Sequence, residues 1–170
     1  MIRQFINIVE AQTLREWSNP DDLIDQAMSL TMAMSSAHGF GKNRHASETE
    51  FREWCERRLR NAYDEISAYI QGDDSIKIYR AITLPEGEAP DTSRHPGIYW
   101  TYDQDAIHPA HGHLNQHIWV FTAKTDVNQI DWVRTLAQNA TPGYESEKEI
   151  RLKDHGRIDD LTVADTGEVK

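Results

Sequence analysis

The sequence predicts an α+β protein, with helices in its first part and strands in the remainder. Apolar residues recur at three- and four-residue spacing as far as Gln71, then at two-residue spacing after Gly72-Asp73-Asp74. Helices followed by a run of strands argue for segregated α and β parts rather than repeating βαβ units. At 170 residues the chain suits one domain, read as an N-terminal helical part over 1–45 and a core over 46–164.

Taken in order, Ile2, Phe5, Ile6 and Val9 predict a short amphipathic helix over 2–11. Asn19-Pro20-Asp21-Asp22 offers a capping residue and a proline at the first helical position. Leu23, Ile24, Ala27, Met28, Leu30, Met32 and Met34 follow, and Gly39 and Gly41 should stop this helix near His38. Its methionine stripe reads as core filler. Ser47-Glu48-Thr49-Glu50 is a capping box opening the longest helix, Glu48 to about Gln71. Phe51, Trp54, Cys55, Leu59, Ala62, Ile66 and Ile70 lie on its buried face, and Arg52, Glu56, Arg60 and Glu65 on its wet one. Cys55 therefore reads as a structural thiol, and as the single cysteine it has no internal disulfide partner.

The β part opens with Ile76 to Leu84, a linker rich in Pro, Gly, Asp and Ser, and a second strand ending at Thr101. Asp103 to Gly112 has the makings of a short helix broken by Pro109. Further strands are expected at Gln116 to Thr122, Asn128 to Asp131, Lys148 to Lys153 and Arg157 to Ala164.

A formal charge of -10 argues against non-specific nucleic-acid binding, because the phosphate backbone would be repelled. No apolar run has the length of a membrane span, and Met1 to Gln12 lacks the pattern of a signal peptide. With one cysteine, these features lead to the expectation of a reducing, cytoplasmic location, in the producing or a host cell.

Three places carry candidate chemistry. Arg80 stands inside an apolar strand, where a guanidinium is costly unless it binds something, and its rigid fork suits phosphate or carboxylate. Glu145, Glu147 and Glu149 alternate at a strand entrance, which sets them on one face if the strand starts early, where they would repel one another unless a cation or cationic substrate sits there. His108, His111, His113 and His117 match no standard zinc spacing and read as a polar loop, with no metal expected.

Together, the Arg of IYRAI, the hydroxyl of GIYWTY and the E-x-E of EKEIRL resemble the ADP-ribosyltransferase superfamily, from roughly Ser47 to Val163. In that family Gly follows the Arg, where this chain has Ala81, and a Ser-Thr-Ser triplet stands where this chain has Trp100-Thr101-Tyr102. The Gly97-Ile98-Tyr99-Trp100-Thr101 run is also similar to the G-x-Y-x-T of the diphtheria-toxin branch, which carries His at the position of Arg80.

The resemblance implies a split antiparallel sheet core and NAD as co-substrate, without a metal. Arg80 would grip the NAD phosphates beside Ala81, and Tyr99 or Trp100 would stack near nicotinamide. Thr101 would contact the ribose or support Glu149. Glu149 would stabilise positive charge developing on the sugar, and Glu147 would orient an acceptor side chain on a target protein, with arginine the expected residue. Tyr144 would belong to acceptor recognition. The expected activity is mono-ADP-ribosylation of a protein. The alternatives are a catalytically inactive binding or inhibitor protein of the same fold, and an NAD glycohydrolase.

Overall fold

The computed structural model describes residues 19–107, 116–154 and 156–168. The expected helix over 2–11, and His108, His111 and His113, lie outside them. The described chain is α+β and gathers into two compact units. One takes in the described residues up to Ala68 together with Asp131–Glu145, and the other Tyr69–Ile130 with the residues from Ser146 onward.

The first unit holds three α-helices, α1 (Pro20–Ala37), α2 (Glu48–Ser67) and α3 (Trp132–Ala140). Pro20 occupies the first turn of α1, and Asn19 donates to the Asp22 carboxylate at 2.6 Å instead of capping the backbone. Ser47 caps α2 as its sequence requires, its hydroxyl accepting from the Glu50 N–H at 3.1 Å, while the Glu50 carboxylate accepts from the Ala46 N–H. The helix ends at Ser67 rather than Gln71, because Ile70 already forms an antiparallel bridge with Ile76. Leu23, Ile24 and Met28 of α1, Phe51, Cys55 and Leu59 of α2, and Trp132 and Leu136 of α3 are buried in this unit.

The helix α3 stands just after the place where a strand over Asn128 to Asp131 was expected. Val127–Gln129 is instead a 3₁₀ turn, and Ile130 makes a lone bridge with Leu152. The Asp131 carboxylate accepts from the Arg134 N–H at 3.3 Å, capping a helix whose Trp132, Leu136 and Ala140 recur every fourth residue and are buried. That cap and spacing were present in the sequence and define a helix.

The second unit holds five antiparallel strands in the order β4-β2-β1-β3-β5. They are β1 (Ser75–Pro85), β2 (Tyr99–Thr101), β3 (Gln116–Asp126), β4 (Glu149–Arg151) and β5 (Asp159–Glu168). The expected split sheet is therefore one connected sheet, but its connection is slender. Strands β1 and β3 stay in register from Ser75↔Asp126 to Pro85↔Gln116, whereas β1 and β2 share one registered pair, Tyr79↔Thr101. On one face Ile76, Ile78, Phe121, Ala123, Trp100 and Ile150 are buried. On the other, the registers align Tyr79, Thr101 and Glu149 in a single row across three strands.

Candidate functional site

Where β1 and β2 part, the sheet unit leaves a cleft of about 490 Å³, within the range typical of small-molecule sites. Arg80 and Ala81 line it from β1; Tyr99, Trp100 and Thr101 from β2; Glu147 and Glu149 from the segment entering β4. These are seven of the eight residues to which the family resemblance gives a role. The eighth, Tyr144, belongs to the helical unit, where its ring meets that of His38 edge-on at 4.9 Å.

Strand alternation sends Arg80 to the apolar face, alongside Ile78 and Ile82. Its guanidinium reaches the strand gap, where Nη1 donates to the Tyr99 carbonyl oxygen at 3.1 Å. The side chain is half-buried, and this burial pushes its pKa below the ordinary value. Among the described residues no carboxylate lies within ion-pair distance of it. An arginine in this state presents unused donors and an uncompensated charge to the cleft.

The two aromatics of β2 divide the work between them. Trp100 is buried, with its indole N–H donating to the Gly97 carbonyl at 2.8 Å, so it anchors the strand. Tyr99 is 46% exposed and presents its ring. The Arg151 guanidinium lies over that ring, 5.0 Å from its centroid, and donates to the phenol oxygen at 2.6 Å. Sequence reasoning passed over Arg151, although its position two residues after Glu149 in a strand places both on one face.

The hydroxyl of Thr101 is buried and donates to the Lys148 carbonyl at 3.0 Å, a carbonyl that also accepts from the Tyr102 N–H at 3.0 Å. Lys148 itself has φ +49, a left-handed conformation that is uncommon for lysine. Two donors on its carbonyl hold that turn, and Glu149 starts β4 from it. Thr101 thus supports the backbone that presents Glu149.

Glu149 is half-buried, and its pKa is raised, first by burial and then by the neighbouring charge of Glu147, with Arg151 pulling the other way. Glu147 is exposed. Glu145 does not join them in a row of three, because the alternation expected from the sequence begins only after the turn. It belongs to the helical unit, where its carboxylate accepts from the Gly143 N–H and lies 3.4 Å from the Arg58 guanidinium. Burial would raise its pKa, but the backbone N–H groups and Arg58 outweigh that and hold it below the usual range.

Of the histidine group, His117 lies 3.3 Å from the Asp165 carboxylate on β5. Among the described residues no cluster of three or more His, Cys, Asp or Glu is arranged to hold a metal ion, and no helix is long and apolar enough to cross a membrane. The cleft can therefore offer a cationic fork, an exposed aromatic ring and two carboxylates to a ligand. Comparison with protein-family models, with characterised proteins and with solved structures finds no match to this chain.

Proposed function

We propose that the cleft binds NAD and that the protein is a mono-ADP-ribosyltransferase of the ADP-ribosyltransferase superfamily, modifying an arginine side chain of a target protein. The observation carrying this reading is Arg80, a half-buried guanidinium without a carboxylate partner among the described residues, on the same cleft as Glu149. A dinucleotide's phosphates supply the missing negative charge and accept the fork's free N–H groups.

NAD supplies the ADP-ribosyl group and nicotinamide as its leaving group. Arg80 holds phosphate oxygens, and the exposed ring of Tyr99 offers a stacking surface. As the nicotinamide–ribose bond breaks, positive charge grows on the sugar and the Glu149 carboxylate stabilises it. Glu147, exposed at the mouth, takes a proton from the acceptor guanidinium as the new carbon–nitrogen bond forms.

A second reading, a binding module of the same fold without turnover, has one observation in its favour. The Thr101 hydroxyl is committed to the Lys148 and Asp103 backbone rather than turned toward a sugar. Two measurements on the full chain separate these. NAD raises the melting temperature under both readings, since a ligand of the native state stabilises it by mass action. Nicotinamide release with and without a guanidine acceptor distinguishes transferase, glycohydrolase and silent binder. No thermal shift at millimolar NAD would remove both readings.

A further inference from the structure

The loop before β2 holds Gly97 by every polar atom of its backbone. Its N–H donates to Nδ1 of His95 at 3.1 Å, and its carbonyl accepts from the Trp100 indole at 2.8 Å. The other ring nitrogen of His95, Nε2, lies 2.9 Å from the Gly156 carbonyl oxygen. These contacts determine the tautomer. A backbone N–H can only donate, so Nδ1 accepts; a carbonyl can only accept, so Nε2 carries the proton. His95 thus ties Gly97 to the segment leaving β4.

Gly97 has φ +109, a conformation that strains any residue with a side chain. A Cβ built on it would run into the Nη1 of Arg80, with Cζ 3.1 Å and Nη2 3.4 Å away. The guanidinium therefore lies directly against the bare Cα, in space that only glycine leaves open. On its other flank Nη1 donates to the Tyr99 carbonyl.

We propose that His95 and Gly97 form the seat that aims the Arg80 guanidinium into the cleft, which makes both of them positioning residues for anion binding. This goes beyond the proposed function and rests on it only for the identity of the anion. Without the seat, Arg80 would rotate among several rotamers, and its fork would have to be ordered anew each time a phosphate bound.

The test reads the seat itself and then its consequence. Nitrogen-15 NMR of the arginine side chains follows the Arg80 Nε–H and the rotation of its terminal nitrogens in the free protein. ADP titrated by calorimetry then follows anion binding. His95→Asn keeps an acceptor facing the Gly97 N–H but loses the Gly156 bond, whereas His95→Gln keeps the distal donor and loses the Gly97 bond. We expect His95→Asn to retain a slowly rotating Arg80 guanidinium and near-normal ADP affinity. In His95→Gln and Gly97→Ala we expect faster rotation and an affinity lower by tenfold or more. A merely structural role for His95 would make Asn and Gln equivalent, and that equivalence would overturn the proposal, as would an unchanged Arg80 signal in both His95 variants. If Gly97→Ala does not fold, the His95 pair still decides. A seat lost as expected in His95→Gln, in a wild-type protein that binds no ADP, would leave the seat standing and remove the NAD reading instead.

Discussion

Nη1 of Arg80 lies 3.1 Å from the carbonyl oxygen of Tyr99, joining β1 to β2 just past the pair Tyr79↔Thr101 where their register ends. A side chain thereby bridges the two strands at the point where they part, and the guanidinium is held in the gap between them. Its half-burial and its lack of an anionic partner among the described residues follow from that place. Arg80, Glu147 and Glu149 all line the cleft that opens there.

Arg80→Ala should therefore reduce affinity for NAD far more than it reduces stability. Charge-assisted hydrogen bonds contribute about 1.5–3 kcal/mol each, so losing even one of the fork's bonds should weaken binding by roughly tenfold to a hundredfold. Folding loses only one bond to a carbonyl and is relieved of a desolvated charge. Calorimetry with NAD and thermal melting of both proteins check this. An unaltered dissociation constant would show that Arg80 is not the anchor.

Glu149→Gln should lower nicotinamide release by about a hundredfold to a thousandfold whether or not an acceptor is present, because the amide keeps the shape but not the charge opposed to the sugar. Glu147→Gln should abolish transfer to arginine and leave slow hydrolysis, since water needs no carboxylate to orient a guanidinium. Parallel assays with and without acceptor measure this, and equal losses in all four combinations would contradict the separate roles.

The pH dependence follows from the raised pKa of Glu149, whose causes are burial and then Glu147, offset in part by Arg151. In the proposed reaction Glu149 acts as a carboxylate, so the rate should fall on acidification at a pH above that of an ordinary glutamate. Glu147→Gln removes a like charge and should move this limb to lower pH, in the assay of hydrolysis. Arg151→Leu removes an opposite charge and should move it higher. Stability runs the other way. A folded pKa above the unfolded one means the native state binds the proton more tightly, so Glu149's contribution is full below the unfolded pKa and is lost as pH rises through the folded one. Glu149→Gln should accordingly melt higher than wild type at neutral pH, and the difference should vanish under acid conditions.

Cys55 should be inert in the native protein. It is fully buried on α2, and burial pushes its pKa up to about 11 against smaller opposing effects of Arg58 and the Ser35 hydroxyl. At neutral pH it is a protonated thiol out of reach of solvent, and the thiolate is the reactive form. Iodoacetamide should label it only after unfolding, with a rate that tracks denaturant; rapid labelling of folded protein would refute this.

Local chemistry made much of this molecule legible before any tertiary contact was known. The proline-led start of α1, the Ser47 box and the alternating Ile76 to Leu84 run are decided by capping, ring geometry and pleat within a few residues, and each element formed there. The helix α3 was equally local, with Asp131 as its cap and Trp132, Leu136 and Ala140 at its spacing, although the sequence reading placed only a strand over Asn128 to Asp131 there. The sequence by itself also singled out Arg80 as a charge out of place and Glu147 and Glu149 as paired carboxylates. Only the tertiary structure decided what surrounds them. The register Tyr79↔Thr101↔Glu149 spans separations of 22 and 48 residues, and no local propensity specifies which strand edges meet over such lengths. The same holds for Gly97 beneath the guanidinium, His95 bonded to Gly156 and Arg151 over Tyr99. Those contacts depend on where β2 ends up between β1 and β4. Burial, and with it the direction in which each charge titrates, exists only once the strands have come together.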